Sequence, residues 1–176
     1  MRRRLAIAGG ALSLLLTGVC VWGLAGHPTD RAVAEIAPRA EQPQSLPVER
    51  LTVATRHGAR TFSVMVADND LTREIGLMHR RAMRPEEGMI FDFHDPQPVA
   101  FWMRNTLIPL DIIFIAPDGK ILNIAENARP MDETPLPSAG PVRAVLEING
   151  GLSAKLGIRP GDRVLDAAIF THRRRH

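Results

Sequence analysis

Short apolar segments separated by turn residues run through most of this chain, and they constrain its fold more than any other feature. Residues 49–55 and 60–66 both alternate apolar with polar side chains, and His57-Gly58 between them has turn composition, so the pair predicts a β-hairpin. Further segments of strand length lie at 88–93, 111–115, 121–125 and 142–148. Strands at such short spacing predict an antiparallel sheet structure, either a sandwich or a small barrel.

Two short helices are expected beside these strands. Asp68-Asn69-Asp70 is a run of helix-capping residues, and it predicts a helix over residues 71–77 that ends near Gly76. Residues 152–156 predict a helical turn, and the segment 157–164 leads from it into a last strand. The predicted fold class is therefore mainly β: a single-domain antiparallel β-sandwich or small barrel with one or two short helices.

The N-terminus has the composition of an export signal. Arg2, Arg3 and Arg4 precede an apolar run over residues 5–24, which predicts a signal peptide or an N-terminal membrane anchor over residues 1–26. The arginines would stay on the cytoplasmic side of the inner membrane. We expect the body to be exported to the periplasm or the extracellular space, either after cleavage or on a retained anchor.

The predicted domain lies between two segments without core pattern. Residues 27–47 are rich in Pro and Ala and predict a disordered linker. Residues 48–170 hold the predicted β domain, and residues 171–176 form a basic tail. Such a domain is long enough to bury one hydrophobic core.

The high sequence pI of about 9.9 comes from the two ends of the chain. Removal of the arginine triplets at 2–4 and 173–175 changes the formal charge from +3 to −3. Aromatic residues make up only 5% of the chain, and Tyr is absent. A mildly acidic body with few stacking platforms argues against nucleic-acid binding.

Recognised motifs for metal, nucleotide or nucleophilic chemistry are lacking. His57, His79 and His94 stand at unrelated spacings, and neither H-E-x-x-H nor C-x-x-C occurs. There is no G-x-S-x-G elbow, and Cys20 lies inside the predicted leader. The sequence therefore predicts no metal, no other cofactor and no thiol chemistry, and it favours a protein without catalytic activity.

The stretch FWMRNTLIPLDIIFI, residues 101–115, places polar side chains in what looks like two strand segments joined at Pro109. In a strand, Trp102, Arg104 and Thr106 would share one face. Trp102 beside Arg104 would offer an apolar platform and a guanidinium fork suited to carboxylate or phosphate oxygens. Alternatively, Arg104 pairs with Asp111 or Glu147, and Trp102 belongs to the core.

Two acids lie in strands that otherwise suit a core, Asp111 and Glu147. Polar clusters within an apolar fold are typical of the floor of a small-molecule pocket. Arg80 directly follows the first predicted helix, where its side chain would close over one mouth of the sheet. The candidate lining residues are Arg80, Trp102, Arg104, Asn105, Asp111 and Glu147.

Several ordered blocks resemble one known family. They are Gly76–Arg80, Gly88–Phe93, Phe101–Asp111, and Val145–Ile148 followed by Gly157–Asp162. These blocks, over about residues 50–168, are similar to the uncharacterised family called domain of unknown function 192. The resemblance implies a compact, mostly β domain, often behind an export signal, and it brings no activity, ligand or catalytic residue. Arg104 stands where Lys is common in that family, and His79 where an aromatic or aliphatic residue is common.

Three functions remain open at this point. The favoured one is binding of a small ligand or a cell-envelope component in a pocket with a polar floor. The second is hydrolysis of an envelope polymer with Asp111 and Glu147 as acid and base, which requires their carboxyls to lie within about 10 Å. The third is a structural or interaction protein that uses the proline-rich loop 127–141 as its contact surface. Contact with the membrane is expected only through the N-terminal segment.

Overall fold

The structure, a computed structural model, describes residues 42–165. The predicted leader, most of the linker and the basic tail lie outside these residues. In chain order, the elements are β1 Val48–Thr55, β2 Gly58–Ala67, α1 Asp70–Ile75, β3 Glu87–Gln97, β4 Ala100–Phe101, β5 Leu110–Ile115, β6 Ile121–Ala128, β7 Leu136–Pro137, β8 Val142–Asn149, α2 Leu152–Leu156 and β9 Arg163–Val164. Over 42–165, no helix is both long and apolar enough to cross a membrane.

Seven of these strands form one curled sheet, a half-barrel with the order β6-β5-β8-β3-β2-β1-β9. Strands β4 and β7 form a separate two-stranded sheet. The predicted fold class, mainly β with two short helices, is therefore confirmed. Neighbouring strands of the large sheet run antiparallel except β2 and β3, which are parallel because the chain crosses over through α1 between them.

The predicted hairpin and the first helix are both present. Strand β1 pairs with β2 over the whole length of β1, and Gly58 follows the turn with a φ of 104°. Asn69 caps α1 by accepting a hydrogen bond from the Thr72 backbone, while the Thr72 hydroxyl accepts one from the Asn69 backbone. The helix ends at Gly76, whose φ is 51°. Local sequence signals account for this part of the fold.

The predicted strand through residues 101–106 is wrong beyond its first residue, since β4 ends at Phe101. The chain then turns, with the Thr106 backbone donating to the Met103 carbonyl and Asn105 in the left-handed region at a φ of 55°. A left-handed residue breaks the alternation of a strand. Trp102, Arg104 and Thr106 therefore do not share the face of a strand, and it is the turn that brings these three residues to one surface.

Apolar residues are buried on both faces of the large sheet. Along β5, Ile113 and Ile115 belong to a first cluster with residues of β1 and β2, while Ile112 and Phe114 belong to a second cluster. The second cluster also contains Met103 and residues of β3 and β8. Burial of both faces explains why β5 and β8 lack the polar alternation of β1.

The packed part of the chain begins a few residues before Val48. The Gln44 amide donates to the backbone carbonyls of Thr72 and Gly76, at 2.9 and 2.8 Å, and so hydrogen-bonds the C-terminal carbonyls of α1. Leu46 packs against the second apolar cluster. The end of the predicted linker thus lies along α1.

Candidate functional site

A pocket of about 330 Å³ lies between α1 and strands β3 and β4. Its walls are mainly apolar and aromatic, with Leu77, Phe91, Phe93, Val99, Phe101 and Trp102 among the lining residues. The Phe101 ring meets the Phe91 ring edge to face, with centroids 4.9 Å apart. This volume falls at the lower end of the range typical of small-molecule sites.

Glu147 is the buried acid of this pocket. Its neighbours across the sheet are Met89 on β3 and Ile112 on β5, and both belong to the second apolar cluster. The register therefore directs the Glu147 side chain to the apolar face on which the pocket lies. Glu147 is only 4% exposed, so its carboxyl group lies deep in the pocket.

The Glu147 carboxyl has no hydrogen-bond or ion-pair partner among residues 42–165. Burial raises the pKa of Glu147 from 4.5 to about 8, and no neighbouring charge offsets this effect. The group is therefore mostly protonated at neutral pH. An unpartnered buried polar group costs stability, and such groups concentrate at functional sites.

Arg104 and Trp102 stand at the mouth of the pocket. The Arg104 guanidinium carbon lies 4.3 Å from the centroid of the Trp102 ring, a cation–π contact. Trp102 is 44% exposed, although large aromatic side chains are usually more buried. Within the described part of the chain, Arg104 makes no ion pair, and its buried Nε has no acceptor. The guanidinium thus contacts Trp102 and has no carboxylate partner among residues 42–165.

Arg73 also lines the pocket, but each of its two terminal nitrogens already donates a hydrogen bond within the protein. One Arg73 terminal nitrogen donates to the Asp92 carbonyl and the other to the Asp70 carboxylate, both at 2.6 Å. The guanidinium also lies 5.4 Å from the centroid of the Phe93 ring. Arg73 therefore ties α1 to β3 at the edge of the pocket.

Asp111 lies in a different part of the fold. It is fully buried and its oxygens accept four hydrogen bonds, from the backbones of Asn127, Gly151 and Ser153 and from the Ser153 hydroxyl. Asp111 is absent from the residues that line the pocket. Its carboxylate fastens β5 to the end of β6 and to the start of α2.

The two remaining candidate residues, Arg80 and Asn105, lie near residues 42–45 at the end of the predicted linker. Arg80 donates to the Gln44 carbonyl at 3.3 Å and contacts the Met65 sulfur at 3.4 Å. Asn105 borders a neighbouring open cavity between α1 and residues 42–45, which Arg104 also lines. Of the six candidates, the structure brings Trp102, Arg104 and Glu147 together in the pocket.

Metal coordination has no evident location in the described part of the chain. No group of three or more His, Cys, Asp or Glu side chains within residues 42–165 is arranged to hold an ion. The chemistry of the pocket is therefore that of its aromatic walls, its buried acid and its arginines.

The model of the DUF192 family, described as "Uncharacterized ACR", matches residues 52–165. This chain belongs to the DUF192 family. The resemblance seen in the sequence blocks is confirmed by this match. No curated protein matches the chain.

Two crystal structures are similar to this DUF192 protein. A protein of unknown function from Novosphingobium aromaticivorans DSM 12444 is 50% identical, over 71% of this chain and 94% of that chain, with a TM-score of 0.67. A protein from Sinorhizobium meliloti 1021, described as a candidate transcription regulator, is 45% identical over 70% of this chain and 96% of that chain, also with a TM-score of 0.67. Neither description names a ligand.

Sequence reasoning missed the aromatic wall of the pocket in this DUF192 protein. Phe91 and Phe93 are two residues apart on β3, and that spacing places them on one face of a strand. The spacing was a usable signal. Phe101 and Arg73 carried no comparable signal, because their positions at the pocket depend on the turn after β4 and on the crossover through α1.

Proposed function

We propose that this DUF192 protein is an exported binding domain, which takes a small and largely apolar molecule into the pocket between α1, β3 and β4. The observation that carries the proposal is the Glu147 carboxyl, buried and unpartnered among aromatic side chains within the described domain. Export rests on the leader pattern of residues 1–26.

The energetics of Glu147 support a role in recognition. A buried polar group without a partner costs roughly 1–3 kcal/mol, and an apolar residue of similar shape would avoid that cost. A ligand with a hydrogen-bonding group at its inner end would supply the missing partner. The pocket walls would then remove the apolar part of the ligand from water.

Ligand binding fits this geometry better than hydrolysis with paired carboxylates. Asp111, the second acid of the hydrolytic hypothesis, uses its oxygens in four hydrogen bonds and does not line the pocket. Glu74, the other acid at the pocket, is exposed on α1. Two-carboxylate catalysis needs a second carboxyl beside the reacting bond.

A role in transcription, which the description of the Sinorhizobium meliloti protein concerns, has less support for this chain. DNA-binding surfaces carry an excess of basic side chains, whereas this chain without its terminal arginine triplets has a formal charge of −3.

Ligand binding in the pocket is tested with a variant whose larger side chain fills the pocket. Ala100 lines the pocket and is exposed, so Ala100→Trp adds a bulky side chain there with little effect on the core. A library of small neutral, anionic and cationic aromatic compounds is screened against the full chain by saturation-transfer NMR. We expect a set of compounds that bind the wild type and lose their signal with Ala100→Trp.

The matched control is Ala139→Trp, at an exposed alanine that does not line the pocket. Compounds that bind through the pocket keep their signal with this variant. If no compound distinguishes wild type from Ala100→Trp, the binding function is refuted.

Export is tested separately with alkaline phosphatase fused to the C-terminus of the full chain. The phosphatase is active only outside the cytoplasm, so activity that depends on residues 1–26 would support export. Equal activity after deletion of residues 1–26 would refute it.

A further inference from the structure

We infer that the ligand of this pocket is an organic carboxylate, whose apolar body lies among the aromatic walls and whose anionic group is held at the mouth by Arg104. This inference rests on the proposed binding function of the pocket. It adds the chemical class of the ligand and the residue that selects it.

Arg104 has the features of an anion-binding group. Its guanidinium carbon lies 4.3 Å from the centroid of the Trp102 ring, and within residues 42–165 none of its N–H groups donates a hydrogen bond. The buried Nε has no acceptor, and no carboxylate within residues 42–165 pairs with the group. A planar fork with open donors matches the two oxygens of a carboxylate.

Among the charged residues that line the pocket, Arg104 is the one suited to bind the carboxylate of a ligand. Arg73 already donates to the Asp92 carbonyl and to the Asp70 carboxylate. Glu74 is exposed on α1 and is not within ion-pair distance of either arginine. Arg104, which donates no hydrogen bond within residues 42–165, is therefore the cation at the pocket with the most donors open to a ligand.

Glu147 does not call for a cationic ligand at neutral pH. Burial raises its pKa to about 8, so its carboxyl is mostly neutral and acts as a hydrogen-bonding group. A neutral acid deep in the pocket and a positive charge at the mouth suit a molecule with an uncharged inner part and an anionic outer end. An ammonium ligand would instead meet Arg104 on entry.

Two matched series test the class of the ligand. 6-Hydroxyhexanoate, 1,6-hexanediol and 6-amino-1-hexanol form the first series, and the acid, alcohol and amine of the 4-(4-hydroxyphenyl)butyl skeleton form the second. The hydroxyl group that all six share is the inner hydrogen-bonding group for Glu147. Their affinities for the full chain are measured by calorimetry at pH 7. We expect each acid to bind at least about tenfold more tightly than the alcohol and the amine of its series, because only the acid pairs with the guanidinium.

Arg104→Gln should remove the preference of the pocket for acids over alcohols and amines. We expect it to weaken binding of both acids by about tenfold or more and to leave the alcohols within about twofold, since it removes the charge but not the apolar walls. Arg81→Gln is the matched control, because Arg81 is exposed and does not line the pocket. It should leave all six affinities unchanged.

The inference is overturned if acids, alcohols and amines bind equally, if the amines bind best, or if neither acid binds. It is also overturned if Arg104→Gln leaves the acids unaffected. Binding of alcohols or amines that is lost with Ala100→Trp would overturn the anionic class while supporting the pocket. Absence of any Ala100→Trp-sensitive compound in the full screen would instead refute the binding function itself.

Discussion

Ser153 donates two hydrogen bonds to the same carboxylate oxygen of Asp111. The donor-to-acceptor distance is 2.7 Å for the Ser153 backbone nitrogen and 2.6 Å for its hydroxyl. The other oxygen accepts from the Asn127 and Gly151 backbones. A single carboxylate thus satisfies backbone donors at the end of β6, at the N-cap of α2 and in the first turn of α2. The acid of β5 is therefore a structural element of the fold.

Asp111→Asn should destabilise the domain by about 3 kcal/mol, because the amide nitrogen faces donors and cannot accept their hydrogen bonds. Ser153→Ala removes one of the four bonds and should cost about 1 kcal/mol. Urea unfolding followed by circular dichroism measures both values. The control Asp68→Asn, at an exposed residue, should have little effect. An Asp111→Asn variant as stable as the wild type would contradict the structural role.

Glu147→Gln should change the pH dependence of stability. The folded protein holds a proton on Glu147 up to about pH 8, whereas the unfolded chain loses it near 4.5. Between these values the folded state binds more protons, so the Glu147 contribution to the free energy of unfolding falls as pH rises. The amide of Glu147→Gln does not titrate, so the variant lacks this pH-dependent decrease in the free energy of unfolding. Its free energy of unfolding relative to wild type should therefore increase from pH 5 to pH 9.

Denaturant unfolding at pH 5, 7 and 9 measures this difference. At pH 9 we expect the variant to be more stable than the wild type by at least about 1 kcal/mol, because the buried carboxylate is then charged and unpartnered. Glu126→Gln, at an exposed position on β6, is the matched control and should show no such trend. A pH-independent difference between Glu147→Gln and wild type would refute the elevated pKa.

Gly88→Ala should destabilise the centre of the sheet. A Cβ at Gly88 would lie 2.6 Å from the Glu147 carbonyl oxygen, on the backbone of the neighbouring strand β8. Relief of this contact requires a backbone shift, and we expect a cost of about 2 kcal/mol. A Cβ at Gly140 would lie 3.8 Å from its nearest neighbouring atom, an ordinary contact, so Gly140→Ala should be close to neutral. Thermal unfolding measures the stability of both variants. Equal effects of the two substitutions would argue against the close approach of β3 and β8.

Gln44→Ala should loosen the C-terminal end of α1, since the Gln44 amide donates to the Thr72 and Gly76 carbonyls. Loss of about 1 kcal/mol of local stabilisation would speed hydrogen exchange of the amides there about fivefold. Exchange measured by NMR at Arg73 and Gly76 reports the change, and Gln42→Ala at an exposed position is the control. Unchanged exchange in Gln44→Ala would show that the linker does not support the helix.

Local patterns in the sequence were sufficient to predict most of the strands. The alternation along β1 and β2 and the turn before Gly58 depend on residues adjacent in the chain, so the hairpin follows from them. The same holds for Asn69 and Gly76 at the ends of α1. The fold class and the family blocks were likewise readable from the sequence.

The segment after Phe101 shows where local patterns fail. Its alternation predicts a strand, yet the Asn105 carbonyl accepts a hydrogen bond from the His79 backbone and Met103 donates to the Asp132 carbonyl. These partners lie more than twenty residues away in the chain. A two-residue period does not reveal such contacts, and they hold Asn105 in the left-handed region.

By itself, the sequence determined that Asp111 and Glu147 lie within apolar strands, because strand periodicity is a local property of neighbouring residues. Only the tertiary structure decided their different roles. Asp111 meets backbone donors of Asn127, Gly151 and Ser153, and these hydrogen bonds satisfy the buried carboxylate. Glu147 meets no donor in the described domain, so desolvation determines its protonation. Burial and long-range partners, which form only when the sheet closes, make that distinction.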